Sequence, residues 1–572
     1  MSMHARKEKT VRWKPLGLAA VLSVGMLFTG CGQNATEIQP SVEAAEGPLG
    51  AYTDTLMCKL GRATTADPKL PEGQTYEDNA YIRYLKDKLN IGIKDEFEAN
   101  GDDYDRQVSM AIASGELPDM MQVGSKDFLD ELVENDLVED LTDVYDKYAS
   151  DFIKGCYDSY DGRSLDTATY DGRLMALPAT NGDSAPSTAY IRKDWLDKLG
   201  LAVDADGDKC ITLDELKLIA KTFMDQDPGG SKNPVGIAFV PNLTADDYAN
   251  STFTVNGILS TFKAFPKNWL QDDSGNVYYG STAPEMKAAL AEMAEWFQEG
   301  ILDPQFGTRT WDDITALLSN GQTGIAFGPW HIPDWVLNSV RGMNKEATFA
   351  AYAVVDDAGK VNATHSNASL GYMVVRKGFS NPEALVKMVN LYFDEMSNNA
   401  NLKEEYPEVS AYLDMGVDGT ARPFSMGVYS ETSLLDDYAD IRKCVMGEIE
   451  PGDIKLAANA NTAESIKKYL ADPENSEVAD WSKYVSRMEG IELTKNLTEG
   501  DKFNWTSPVF YGITETMKTN NANLGTLEEE AFVAIVTGAK SIDEFDTFVQ
   551  EWKQQGGDQI TQEVQKIVDE KE

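Results

Sequence analysis

From residue 56 onward the apolar positions follow two alternating rhythms. Residues 56–60 form an apolar run of strand length, whereas 79–89 place Tyr81, Leu85 and Leu89 four apart on one helical face. A second helical stretch covers 103–113, and an apolar stretch then runs to Val123. Farther along, a strand near Ala189 leads into a helix, and Leu213, Leu216, Ile219 and Phe223 mark the stripe of another. The apolar run 323–327 is cut off by Gly328-Pro329, because proline cannot donate to a central ladder. Trp195, Trp296 and Trp552 fall within helical patterns and read as core, while Trp311 opens a helix and fits either core or surface. Strands alternating with helices predict an α/β fold of parallel sheets flanked by helices. Ligands of such sheets bind beyond the carboxyl ends of the strands, which makes Arg62, Gln122 and Ser125 candidates for ligand contact.

The N-terminal pattern differs. Arg6, Lys7, Lys9, Arg12 and Lys14 precede an apolar segment over 16–28, too short and wrongly flanked to span a membrane, and this is a secretory signal. It ends in Phe28-Thr29-Gly30-Cys31, which resembles a bacterial lipobox; the alternative is an ordinary cleaved signal with a chance cysteine. Residues 1–30 are thus expected to be removed. Cys31 would then carry lipid, and 31–50 would tether the protein to the extracellular face of the cell membrane.

Charge narrows the partners. Beyond the signal, 46 Lys and Arg face 93 Asp and Glu, a formal charge of −47, which argues against nucleic acid and against an electrostatic membrane patch. Cys58, Cys156, Cys210 and Cys444 are far apart and form neither a disulfide framework nor a zinc set. Only His331 and His365 remain in the mature chain, so a histidine metal centre or a hydrolase triad is excluded as a main reading. No nucleophile elbow, P-loop or His-Glu-x-x-His occurs. A carboxylate pair for glycoside hydrolysis has no local signature, so a secreted calcium-containing hydrolase or lyase stays open, as does, more weakly, a calcium-dependent adhesin.

One loop has metal-binding spacing. Asp204, Asp206, Asp208 and Glu215 occupy positions one, three, five and twelve of an EF-hand-like loop, with Ile211 as the apolar anchor at position eight. The expected calcium ligands are these four, the Cys210 carbonyl and Thr212, directly or through water. Lys209 stands at position six, where the turn favours glycine. The simpler reading is a Thr212–Glu215 capping box opening the next helix, and the two are compatible. A second acidic run, 225–230, ends in Pro-Gly-Gly and reads as a turn.

Five segments resemble a known family. Ser-Gly-Glu-Leu-Pro-Asp at 114–119 is similar to the Gly-x-x-Pro-Asp signature of family 1 extracellular solute-binding proteins. Residues 190–196 resemble their strand-to-helix entry, 299–304 the close of a long helix, and 320–330 their segment ending Gly-Pro-Trp; Phe545, Asp546, Trp552, Lys553 and 556–560 resemble the tail of the long lipoprotein subgroup in Gram-positive carbohydrate importers. The resemblance implies a two-lobed periplasmic-binding-protein-like fold of type II, with a ligand cleft between lobes joined by hinge strands. Lobe one is expected over 51–175 with 362–450, and lobe two over 176–361 with 451–572; 401–451 matches no family pattern. It also implies a monomer that hands an oligosaccharide, or alternatively a peptide, to ABC permease subunits, and it agrees with a calcium loop in lobe two, either 204–215 or, as in some relatives, the loop after the next helix, the place of 225–230 here. Sugars offer apolar C–H faces and a ring of hydroxyls, so flat aromatics on loops are the sites to look for. Trp269, Trp330, Trp335 and Trp505 lie near Gly, Pro and strand ends, and the resemblance gives Trp330 a sugar contact.

Overall fold

The computed structural model describes residues 41–182, 185–204, 207–245, 251–399 and 401–570. The chain divides into two units, 1–39 and 40–572; the signal and Cys31 fall in the first, outside the described residues.

Two five- and four-stranded sheets organise the second unit. In the first, the order is Ile91–Asn100, Leu56–Thr64, Met120–Val123, Tyr372–Val375 and Leu177–Pro178. The three N-terminal strands pair parallel, as βαβ units require, with Ala80–Leu89 and Gly101–Ser114 as the intervening helices. Asn79 starts the first of these by accepting the amides of Tyr81 and Ile82, and Asn90 ends it in the left-handed region at φ 56°. Tyr81, Leu85 and Leu89 are all buried, on the face their spacing marks.

The expectation of parallel sheets is corrected beyond this point. Tyr372–Val375 pairs antiparallel with both its neighbours, because the chain reaches it on the way back from the other sheet. In the second sheet Thr188–Arg192 is central and antiparallel to Ile325–Gly328 and Phe349–Val354; only the short Cys210–Ile211 strand adds in parallel. Each principal strand here is buried throughout.

Core packing follows the sheets. One apolar core draws on 52–177 and 372–428; two others draw on 189–361 with 469–568. The Ser433–Val445 helix, expected in lobe one, instead forms a small separate core with Ala457–Ala471 that packs on Tyr484 and Met488. The lobe-one sheet also reaches past 175, to Leu177–Pro178. Between the sheets the chain crosses after Leu177–Pro178 and again after Val361–Thr364, which pairs in parallel with Phe503–Thr506 to make a two-stranded ribbon. Among the described residues no helix is long and apolar enough to cross a membrane.

Candidate functional site

The Ile325–Gly328 strand is antiparallel to Thr188–Arg192, which enters lobe two from the crossing, so Gly328 releases the chain on the side facing that crossing. Pro329 then turns it into Trp330-His331 and a short 3-10 turn, Ile332–Asp334. The turn gathers aromatic rings. Trp335 stacks on His331 at 5.3 Å and 8°, its indole N–H donates to His331 Nδ1 at 3.0 Å, and Trp311 stacks against Trp335 at 5.8 Å and 30°. His331 in turn meets Trp330 edge-on at 5.1 Å. Trp335 and Trp311 are 50% and 37% exposed, large values for indoles. Trp330 is half-buried, its carbonyl accepting the Tyr190 hydroxyl at 2.7 Å. The result is a continuous aromatic strip, exposed at one end, of the kind that stacks on sugar rings.

Of the other candidates, Trp505 is 38% exposed on the crossing ribbon and stacks with His365 at 4.6 Å and with Phe503 at 4.8 Å. His365 approaches Glu431 at 3.4 Å, Arg163 donates to both oxygens of Glu431 at 2.6 Å, and the Tyr511 hydroxyl donates to the His365 carbonyl. Burial pushes the Glu431 carboxyl up, yet the bonds from His365 and Arg163 outweigh it and hold the group below its ordinary value. A small open hollow of about 70 Å³ lies beside this ribbon, lined by Pro186, Ser187, Asn256, Ser260 and Asn362 among others.

Two candidates are corrected. Arg62 is 0% exposed: its guanidinium donates to Asp95 on the adjacent strand at 2.6 Å and to the Arg422 carbonyl at 2.6 Å, so it is an internal ion pair closed off from the surface. A guanidinium at a strand end inside a sheet persists only when a carboxylate neutralises it, and the adjacent strand supplies one. Trp269, 7% exposed, packs into the lobe-two core against Tyr279 and Trp552, each within 6.3 Å. Its flanking Pro266 marks a turn, but the residue itself begins the Trp269–Gln271 strand. Gln122 is buried and exchanges hydrogen bonds with Ser425, and Ser125 caps the Lys126–Glu134 helix by accepting the Phe128 amide. The strip therefore unites Trp330 and Trp335 and adds His331 and Trp311. The signal for His331 was present in Trp-His-x-Pro-x-Trp, whose turn brings residues four apart into contact.

The acidic loop keeps several EF-hand features. Lys209 takes the left-handed turn conformation at φ 63° despite its side chain. The carbonyls of Lys209 and Ile211 accept from Ala353 and Val355, which turns the Cys210 carbonyl between them away from that strand. The capping box is also present: Glu215 Oε2 accepts the Thr212 amide at 2.8 Å, and Thr212 Oγ1 accepts the Glu215 amide. Asp208 Oδ1 takes the Cys210 amide and Oδ2 pairs with Lys502 at 3.1 Å. Burial raises the Asp208 pKa, but these bonds prevail and lower it overall. Asp206 lies outside the described residues. Asp204, Asp208, the Cys210 carbonyl and Glu215 supply oxygen donors of the kind a hard cation takes, but among the described residues the three carboxylates are not drawn into one cluster: Asp208 pairs with Lys502 and Glu215 serves the helix cap. In the second acidic run, Asp227 spends its carboxylate on the amides of Ser231 and Lys232, a self-contained turn.

Comparison with known proteins agrees with this architecture. A model of the bacterial extracellular solute-binding protein family matches residues 67–398. The fructooligosaccharide ABC transporter substrate-binding protein FusA of Streptococcus pneumoniae serotype 4 is 21% identical over 409 residues, 68% of this chain and 71% of FusA. A solved FusA described as an EF-hand mutant in complex with fructo-nystose aligns at a TM-score of 0.50 and 15% identity, over 90% of this chain and 99% of that one. Lipoprotein LipO of Bacillus subtilis (strain 168) is 20% identical over 579 residues, 99% of each chain. A solved extracellular solute-binding protein from Bifidobacterium longum subsp. infantis shares the two-lobed fold at a TM-score of 0.57 and 17% identity, covering 90% of this chain and 98% of that one. Since the family model spans more than half of the sequence and the fold agrees, the chain belongs to the bacterial extracellular solute-binding proteins.

Proposed function

We propose that this protein captures an oligosaccharide between its lobes and delivers it, chemically unchanged, to the permease of an ABC importer. The observation that carries the reading is the aromatic strip from Trp311 through Trp335 and His331 to Trp330, stacked and half-exposed beyond a strand end. That FusA is a fructooligosaccharide-binding protein supports the same class of ligand. The ligand is uncharged on this reading, because Arg487 and Arg163, the arginines beside the two aromatic groups, are already paired with Asp334 and Glu431. A thermal-shift screen against neutral and acidic oligosaccharides and peptides tests it: a ligand that binds only the folded state raises stability by RT ln(1 + [L]/Kd), about 2.7 kcal/mol at a hundredfold excess over Kd. Neutral oligosaccharides are expected to raise the melting temperature; a response confined to peptides or acidic sugars contradicts the reading.

Attachment follows from Cys31, supported by the lipoprotein relative LipO. Cys31→Ser is expected to move the protein from the membrane fraction to the medium, since two acyl chains anchor where one does not. Retention of the variant in the membrane fraction speaks against it.

Calcium at 204–215 is the third part of the reading, with a structural role in lobe two. The EF-hand named in the FusA structure supports it. A chelator is expected to lower the melting temperature and calcium to restore it, with Asp208→Asn insensitive to both. An unchanged melting temperature in the wild type leaves only the capping box.

A further inference from the structure

Trp330 does not stand alone behind its loop. Asp334, in the turn that follows it, accepts from the Ser482 hydroxyl at 3.0 Å and from Lys483 at 3.2 Å, and pairs closely with Arg487. All three donors lie on one helical segment, Val478–Tyr484 continued by a π-helical turn, Val485–Ile491. From that turn the Arg487 guanidinium lies over the Trp330 ring at 4.9 Å. Gly490, on the same turn, comes so close that a Cβ there would strike the Tyr190 hydroxyl and lie 2.9 Å from the Trp330 carbonyl oxygen. The hydroxyl it would strike is the one that holds this carbonyl. Single π-turns cost helix geometry and recur where a helix serves a site, and here the wider turn brings Arg487 and Gly490 together against one residue.

We propose that Asp334, Arg487 and Gly490 are positioning residues for ligand capture: they fix the Trp330 ring in its stacking orientation from the protein side, without themselves touching ligand. This rests on the saccharide reading above. An indole at a loop tip loses rotamer freedom when a ligand settles on it, and that loss lowers affinity unless it is met before binding. A cation over a ring is drawn to the negative face of its π-system, which favours one rotamer over the others. Asp334 keeps Arg487 in place, and Gly490 admits the turn. The strip's affinity is then set in part by a helix more than 140 residues away in the chain.

The test uses the mature protein labelled with 5-fluorotryptophan. The fluorine resonance of Trp330 is identified by its loss in Trp330→Phe. In Arg487→Met that resonance is expected to move and broaden while those of the buried Trp269, Trp296 and Trp552 stay in place, and Arg487→Lys, which keeps the charge, restores much of its position. If Arg487→Met disturbs the core resonances too, Asp334→Asn is judged by the same criterion. A Trp330 resonance that stays put when the charge or its anchor is removed overturns the proposal. Titration with a mixture of neutral fructo- and gluco-oligosaccharides is expected to show affinity falling roughly three- to tenfold in Arg487→Met and recovering in Arg487→Lys. If the wild type binds none of the mixture, the saccharide reading fails for those sugars, and the fluorine result still decides whether Arg487 orients the ring.

Discussion

Trp330→Ala is expected to weaken oligosaccharide binding about tenfold or more, and Trp335→Ala by a similar factor, with the fold intact in both. Stacking of a ring face contributes on the order of 1 to 2 kcal/mol, and each factor of ten in affinity is about 1.4 kcal/mol. Trp335 is half-exposed, so its removal opens no core cavity and its effect on stability should be small. The double variant should lose less than the product of the two factors, because both rings pack on His331 and are energetically coupled through it. Calorimetric titration of the single and double variants checks this. Full affinity in Trp330→Ala, or loss of folding before any ligand is added, would assign that residue to the lobe-two core instead.

Glu528→Gln should stabilise the protein by up to about 3 kcal/mol at pH 8 and have little effect near pH 4. Glu528 lies buried on the Glu515–Val536 helix, and burial pushes its carboxyl up to about 7 against the opposing pull of Lys267, Ser281 and Tyr279. A carboxyl whose folded pKa is raised favours the native state while it is protonated. Its contribution is therefore present below its ordinary value near 4.5 and is lost as pH rises toward 7. Glutamine keeps the shape and the hydrogen bonding without the charge, so the difference between the variants opens across that window. Denaturant unfolding at several pH values measures it; a pH-independent difference would mean that Glu528 has the same pKa folded and unfolded.

Much of the architecture was readable because local chemistry and burial agreed. The Tyr81–Leu85–Leu89 face and the Gly328-Pro329 strand end each combine a local rule with the burial it predicts. The capping box of Thr212 and Glu215 could be seen, since it depends on spacing within four residues. Arg62 and Trp269 misled for the opposite reason. Each stands near a turn or a strand end, but what decides its role is a partner on another element: Asp95 for the one, Tyr279 and Trp552 for the other. The antiparallel strand directions were hidden in the same way, because direction is set by how often the chain crosses between sheets. Arg487 had no local signal at all; it is an arginine on a helix until the fold brings it over Trp330. The 401–451 stretch, unmatched in sequence, resolves into short helices, of which Ser433–Val445 packs outside the lobe-one core.

Hydrogen–deuterium exchange with and without the oligosaccharide selected by the thermal screen tests the central claim most directly. The account predicts slower exchange at 328–335 and along the 361–364 and 503–506 ribbon, where the aromatic rings stand. Protection confined to the polar hollow around Arg192, Asp194 and Lys198, with 328–335 unchanged, would place the ligand outside the aromatic strip and contradict it.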